Sequence, residues 1–385
     1  MRIALFTDTY APQVNGVAKT LGRLVEHAGE RGHEVALVTP RIGQGPAAGT
    51  RLHMQLPSFS VPIYPQLQLA RPMGPLGSRQ LRAFDPDVVH VATEFTVGWS
   101  GVRWALDQGV SLVTSFHTDF PAYLAGYRLG RLKGPAWRYL RLFHERSVHT
   151  FCPSRATLRQ LRDNGFGHRL SVWSRGVDGD RFHPAHRNVA IRRQLSGEAE
   201  KLLVYVGRLA PEKRVDVLLE AFRILRSDLG SHVALAVIGD GPARADLERT
   251  APRGVTFTGF LQGDDLAAAY ASGDIFTFPS DTETFGNVVL EAMASGLPVI
   301  APSRGGVTDF VRHGENGMLV EPREPAKFAC AARRLLQDAA ERSRMARQAR
   351  TAAEGRSWSR VFDGLFSAYE DSALTHPPEA ASLAA

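Results

Sequence analysis

Two periodicities alternate along this chain. Short apolar runs, RIALF from Arg2 to Phe6, EVALV from Glu34 to Val38, VVHV from Val88 to Val91 and LVTSF from Leu112 to Phe116, read as strands buried on both faces. Between them, apolar positions recur at helical spacing. A run near Thr150 to Pro153 closes this series, and a second series begins near Lys201. Strand and helix patterns in alternation predict an α/β fold with two parallel sheets, each covered by helices on both faces. The stretch SRGVDGDRFHPAHRNVAIRRQLSG breaks both periods, so the predicted boundary falls within Asp180 to Asn188, giving one domain over residues 1–184 and another over 185–357. Trp358 to Tyr369 reads as an amphipathic helix within a closing segment 358–374, and residues 375–385 as a disordered tail.

The most informative segment is SDTETFGNVVLEAMASGLPVI. A buried strand predicted over DIFTFP (Asp274 to Pro279) and a helix from Asn287 to Ala294 put Glu283, Phe285, Gly286, Asn287 and Glu291 at a strand-to-helix turn. Free N–H groups and the positive end of the helix dipole suit a phosphate there, while the two glutamates can accept hydrogen bonds from hydroxyls. Phosphate plus polyol describes a nucleotide sugar. Upstream, LLVYVGRLAPEKRVDVLLEAF sets Gly207, Arg208 and Lys213 in a turn between strand and helix, where two cations can neutralise a diphosphate. Taken alone, the glutamates fit solvated carboxylates, and Arg208 and Lys213 fit a solvated turn with Glu212 as local partner.

With GRLAPEKR, the glutamate run, VIGDGP and FTGFL in view, the chain resembles a family 4 retaining glycosyltransferase from Met1 to about Tyr369. The resemblance implies a GT-B fold, two Rossmann-like domains facing a central cleft, with the last helix crossing back to the first domain. It gives Arg208 and Lys213 to the donor diphosphate, Glu283 to the transferred sugar and Glu291 to the ribose. The nucleotide base is expected between IGDGP and FTGFL, where Gly239, Gly259 and Leu261 follow strands; guanine and uracil fit equally, so GDP-mannose and UDP-glucose both stand. Retention without a nucleophilic carboxylate pair implies that the leaving diphosphate takes the acceptor's proton, with Arg208 and Lys213 stabilising its charge. Donor binding is expected to draw the domains together.

The amino-terminal half is expected to supply the acceptor side. Gly16 follows Asn15 at the start of a helix from about Val17, and permits close backbone approach to the donor; a plain turn reads equally well, and many relatives carry Gly-Gly where this chain has Asn15-Gly16. His117 ends a predicted strand, and the resemblance sets it beside the transferred sugar. Glu94, in a T-E-F segment similar to bacterial lipid glycosyltransferases, is a candidate for acceptor orientation, with a surface carboxylate as the alternative. Asp8, after the first strand, is a weaker candidate of the same kind.

Charge enlarges this picture. A net charge of +7 implies an anionic partner. The excess is concentrated in YRLGRLKGPAWRYLRLFHERS, where Arg128, Arg131, Lys133, Arg138, Arg141 and Arg146 alternate with Leu129, Leu132, Trp137, Tyr139, Leu140 and Phe143. That pattern suits an anionic membrane surface, or an ordinary helix with its apolar side in the core. The proline-rich SFSVPIYPQLQLARPMGPLG reads as an acceptor loop. Likeness to lipid-modifying members favours a membrane lipid acceptor over a soluble sugar, and a cytoplasmic, peripheral protein. Nucleic-acid binding is disfavoured because no helix-turn-helix or zinc-finger pattern accompanies the charge, and a noncatalytic sugar-nucleotide sensor would share the same residues. No cofactor is expected: there is no G-x-G-x-x-G and no lysine in a cofactor context. No metal is expected either, since Asp85-Pro86-Asp87 and Asp178-Gly179-Asp180 sit among turn formers. Cys152 and Cys330 both read as interior positions, giving no disulfide framework. No leader and no spanning segment is read.

Overall fold

The computed structural model describes residues 1–13, 15–41, 45, 47–61, 64–122 and 130–374. The chain divides into two compact units, one formed by Met1–Ser174 with the chain from Ser359, the other by Arg175–Trp358.

In the first unit, β1 (Arg2–Phe6), α1 (Gly16–Glu30), β2 (Glu34–Pro40) and β3 (Leu52–Leu56) lead to a hairpin, β4 (Ser58–Val61) and β5 (Tyr64–Ala70). Then follow α2 (Pro75–Phe84), β6 (Val88–Val91), α3 (Thr96–Gln108), β7 (Leu112–Ser115), α4 (Lys133–His144), β8 (His149–Cys152), α5 (Arg155–Asp163) and β9 (Leu170–Val172). The main sheet has the order β3-β2-β1-β6-β7-β8-β9, and every pairing is parallel. All four residues of β6 are buried, as expected where helices cover both faces. In the proline-rich segment read as an acceptor loop, the described residues form the antiparallel β4–β5 hairpin, with Ser58 opposite Ala70, Phe59 opposite Leu69 and Ser60 opposite Gln68.

The second unit runs α6 (Val189–Ser196), β10 (Lys201–Val206), α7 (Val215–Leu229), β11 (Val233–Ile238), α8 (Arg244–Thr250), β12 (Val255–Gly259), α9 (Gly263–Ala271), β13 (Ile275–Thr277), α10 (Asn287–Ala294), β14 (Val299–Pro302), β15 (Gly317–Val320), α11 (Pro325–Gln337) and α12 (Ala339–Glu354). Its sheet has the order β12-β11-β10-β13-β14-β15 and is again parallel. Leu218, Leu219, Phe222 and Leu225 form the inward stripe of α7, the three-and-four spacing read from the sequence.

The segment from Arg175 to Pro184, expected with the first domain, goes with the second unit. Val177 bridges to Ser357, Phe182 packs edge-on against Tyr270, and Arg350 donates to the carbonyls of Gly179 and Phe182. The final helix α13 (Trp358–Ala373) returns to the first unit, burying Phe362, Leu365, Phe366 and Tyr369 there. Arg31 grips Asp363 with two parallel hydrogen bonds of 2.9 and 2.7 Å, and Ser111 donates to the Ser372 carbonyl at 2.7 Å.

Cys152 is buried as expected, but Cys330 is exposed. Helix α11 turns Phe328, Ala329, Ala332, Leu335 and Leu336 inward, which leaves position 330 on the outer face. Among the described residues no helix is long and apolar enough to cross a membrane. The expected tail 375–385, and Arg128 and Leu129 of the basic segment, lie outside the described residues.

Candidate functional site

In the second unit the carboxyl ends of four neighbouring strands converge. Strand β10 ends at Gly207, whose N–H donates to the Ile238 carbonyl at 3.0 Å; Leu209 N–H donates to the Asp240 carbonyl at 2.9 Å, and Gly239 N–H to the Gly259 carbonyl at 2.8 Å. The loops after β10, β11 and β12 are therefore stitched together by their backbones. A side chain at position 239 would place Cβ 1.9 Å from the Gly207 carbonyl oxygen, so only glycine permits this approach. Leu261 packs, partly buried, on the unit's core. Fully buried Tyr205 lies beneath the turn; its hydroxyl donates to the Arg208 carbonyl at 3.2 Å, and burial pushes the phenol well up.

Lys213 sits at the end of a 3-10 turn, Pro211–Lys213, before α7. Its ammonium pairs with Oε1 of Glu283. Ser280 Oγ donates to the same Glu283 oxygen at 3.1 Å, and both Ser280 and Thr282 reach the Glu212 carbonyl. The two motifs singled out in the sequence thus meet. Arg208 is half-buried at the neighbouring turn.

Helix α10 starts at Asn287 after Gly286, which has φ +96° and supplies no side-chain cap. Val289 N–H turns back to the Gly286 carbonyl at 3.0 Å, while the N–H groups of Asn287 and Val288 have no partner among the described residues, the arrangement that favours phosphate. Asn287 is half-buried, with an Oδ1 that has no hydrogen-bond partner among the described residues. Tyr270 Oη donates to Glu291 Oε2 at 3.0 Å; burial, then the Glu291 charge, pushes this phenol far up, which keeps it a donor. Phe285 is buried against Phe310, with ring centroids 4.9 Å apart, and supports the turn from below.

Sequence reasoning missed two supports of this turn. Gly306 N–H donates to the Glu283 carbonyl at 2.8 Å, fixing the backbone of the motif against the loop after β14. The Gly305-Gly306 pair, two residues beyond a buried strand, was the available signal. Asp281, 4% exposed, takes Arg323 Nε on Oδ2 at 2.8 Å, and nothing in the local pattern announces that partner.

In the first unit, Asp8, Glu94 and His117 lie at the carboxyl ends of the adjacent strands β1, β6 and β7, and all are buried. Asp8 accepts from Val97 N at 2.9 Å, Gly98 N at 3.4 Å, Thr93 Oγ1 at 2.8 Å and Thr96 Oγ1 at 3.3 Å. It caps α3, whose own cap position, Phe95, cannot. Burial raises its pKa, and these donors oppose the rise. Asn15 caps α1 through Ala18 N at 2.8 Å, with exposed Gly16 as the first helical residue.

Glu94 is not the surface carboxylate of the alternative reading. It is 3% exposed and meets His144 Nε2 at 3.3 Å, while Tyr139 Oη donates to its carbonyl. His117 packs against Trp173 with ring centroids 5.4 Å apart. Asp85 and Asp87 are engaged by Arg2, through its guanidinium at 2.8 Å and its N–H at 2.6 Å respectively.

The chain matches two family profiles: "Glycosyltransferase Family 4" over residues 14–181 and "Glycosyl transferases group 1" over residues 200–338. It is 38% identical over 376 residues to a GDP-mannose-dependent alpha-mannosyltransferase of Mycobacterium tuberculosis, covering 96% of each chain. It is 30% identical over 314 residues to the alpha-monoglucosyldiacylglycerol synthase of Streptococcus pneumoniae, covering 78% of this chain and 71% of that protein. The sucrose-phosphate synthase structure from Thermosynechococcus elongatus shares the fold, with a TM-score of 0.76, 21% identity, and coverage of 96% of this chain and 98% of that one. Two parallel α/β units, the joined Lys213 and Glu283 motifs and full-length similarity give one conclusion: the chain belongs to the family 4 glycosyltransferases of GT-B fold and transfers a sugar from a nucleotide-sugar donor.

Proposed function

We propose that this enzyme transfers a mannosyl group from GDP-mannose to a lipid acceptor at a membrane surface, with retention of configuration and without a metal. The meeting of Lys213 with Glu283 carries this reading, because it sets a cation able to meet a diphosphate beside a carboxylate able to hold sugar hydroxyls. Arg208, Lys213 and the start of α10 receive the diphosphate, and Gly207, Gly239 and Gly259 let backbone approach the nucleotide. Glu283 holds the sugar, and Glu291, oriented by Tyr270, holds the ribose. The bond from the anomeric carbon to the diphosphate oxygen breaks as the acceptor oxygen attacks on the same face. The acceptor's proton passes to the departing diphosphate, whose growing charge the two cations stabilise. His117 stands beside the transferred sugar, and Glu94 orients the acceptor hydroxyl.

Mannose and guanine follow the donor for which the mycobacterial relative is named, and a lipid acceptor follows the product for which the streptococcal one is named. A surface feature supports the membrane. Helix α4 buries Trp137, Leu140 and Phe143, but Leu132, Tyr139 and Leu142 stay exposed beside Arg131, Lys133 and Arg138. Each such cation near an anionic leaflet contributes about 1 kcal/mol. The test is a panel of GDP-mannose, UDP-glucose and other donors offered with extracted lipids and with soluble sugars, products being read by mass spectrometry. Mannosylated lipid is expected. Products only on soluble sugars, or only from UDP donors, overturn the assignment, and salt-independent failure to bind anionic liposomes removes the membrane.

A further inference from the structure

A chain of hydrogen bonds runs through the first unit's sheet and ends on Glu94. His144, on α4, sets Nε2 3.3 Å from Glu94 Oε1 and Nδ1 2.9 Å from Thr114 Oγ1 on β7. Thr114 Oγ1 lies 2.6 Å from Thr150 Oγ1 on β8, and Thr150 Oγ1 lies 2.6 Å from His168 Nε2 in the turn before β9. Glu94, Thr114, His144 and Thr150 are all buried. A carboxylate only accepts, so His144 presents Nε2–H to Glu94, and in that tautomer Nδ1 is the acceptor. The Thr114 hydroxyl then donates to Nδ1, the Thr150 hydroxyl to Thr114, and His168 Nε2–H to Thr150. Every donor points toward Glu94. His168 Nδ1 is left as the acceptor end, buried without a hydrogen-bond partner among the described residues.

We infer that His144 is a positioning residue for Glu94, held in its Nε2–H tautomer by Thr114, Thr150 and His168 so that the carboxylate keeps one orientation toward the acceptor hydroxyl. This rests on the reading of Glu94 given above. A satisfied core histidine needs one partner to fix it; here Glu94, Thr114, Thr150 and His168, from separate strands and turns, join His144 in one hydrogen-bonded chain. Ser147 Oγ braces it at 3.0 Å from Thr114 Oγ1 and 3.2 Å from Thr150 Oγ1 while donating to the His144 carbonyl, and the ring itself is wedged among Phe116, Phe143 and Phe166. The charged and titratable groups around the Glu94–His144 pair are Asp8 after β1, Tyr139 on α4, and His149 and His168 beyond Thr150. Burial holds both His149 and His168 down at about 4, so they are uncharged at neutral pH and do not compete for the Glu94 charge.

The test uses the full-length enzyme and two readouts. Nitrogen-15 shifts of the His144 ring are expected to report Nε2 protonated and Nδ1 bare, and Thr114→Val, which removes the hydroxyl while keeping the shape, is expected to give a tautomer mixture. Protonation on Nδ1 in the unaltered protein overturns the inference whether or not the acceptor is known. In kinetics with GDP-mannose and accepting lipid, Thr114→Val and His144→Leu are expected to raise the acceptor KM about tenfold and shift the acidic limb of the pH profile. The donor KM stays put, and His144→Gln, whose amide nitrogen reaches the place of Nε2, restores most of the loss. Unchanged acceptor KM and pH profile in both Thr114→Val and His144→Leu, while Glu94→Gln is impaired, overturns the inference alone. An unimpaired Glu94→Gln overturns the underlying reading instead. Should His144→Leu fail to fold, Thr114→Val decides.

Discussion

Lys213 and Glu283 form an ion pair across 70 residues of sequence, with side chains only 18% and 17% exposed. A pair this sheltered has already lost most of its hydration, so the diphosphate proposed to bind at Lys213 would replace one partner with another rather than strip a solvated ammonium.

Lys213→Ala should therefore harm turnover far more than folding. We expect kcat to fall about 100-fold, with weaker donor binding, because charge developing on the leaving diphosphate loses a fixed cation. The stranded Glu283 costs roughly 1–2 kcal/mol of stability, less than a fully buried pair would, and Glu283→Gln in the same chain recovers part of it. Steady-state kinetics and denaturant unfolding of the two single variants and the double variant check both halves; a Lys213→Ala enzyme with normal kcat removes Lys213 from the reaction.

That pairing also marks how far sequence alone reaches. Each motif was legible on its own turn, since apolar runs fix the strands and Gly286 and the following apolar helix fix the turn. Their meeting was not, because it depends on β10 lying beside β13, a strand order that periodicity does not encode. The same gap explains Glu94. Its place after β6 was readable, but its burial comes from α4, whose His144 and Tyr139 arrive from about fifty residues downstream. Phe285 is legible in the motif, but the packing of its ring on Phe310 depends on a loop that arrives from after β14. Asp281, Gly306 and Arg323 were overlooked because their work is done between loops, where local pattern is silent.

Tyr270→Phe tests the ribose assignment with the gentlest change available. The hydroxyl donates to Glu291 Oε2 at 3.0 Å, and the ring itself is core, packed on Phe182 and Phe276. Removing one oxygen should leave the fold intact and loosen Glu291, raising the donor KM about threefold to tenfold with kcat nearly unchanged. A ribose-deoxygenated donor should show little further loss in this variant, and a donor KM equal to that of the unaltered enzyme counts against Glu291 as the ribose ligand.

Asp8→Asn separates a cap from an acceptor ligand. The carboxylate accepts from two backbone N–H groups of α3 and two threonine hydroxyls, and Asn keeps only one acceptor oxygen. A loss of about 1–2 kcal/mol in unfolding free energy is expected, with acceptor KM little changed. Unaltered stability together with a raised acceptor KM would reverse the assignment and return Asp8 to the acceptor side.

Stability should decline as the medium is acidified, and the direction follows from His149 and His168. Burial holds both rings at about 4 in the folded chain, against about 6.5 when unfolded. Below the unfolded value the unfolded chain binds protons that the native one refuses, so stability present above pH about 6.5 is lost progressively down to about 4. Solvent screens part of each charge, so the combined loss is roughly 2 kcal/mol rather than the full linkage value. His149→Gln with His168→Gln should flatten most of this limb of a plot of melting temperature against pH, leaving the smaller contribution of His33 and His53, which burial also lowers, and the carboxylate-driven fall at lower pH. If the double variant keeps the full slope between 6.5 and 4, the two imidazoles are not what the acid attacks.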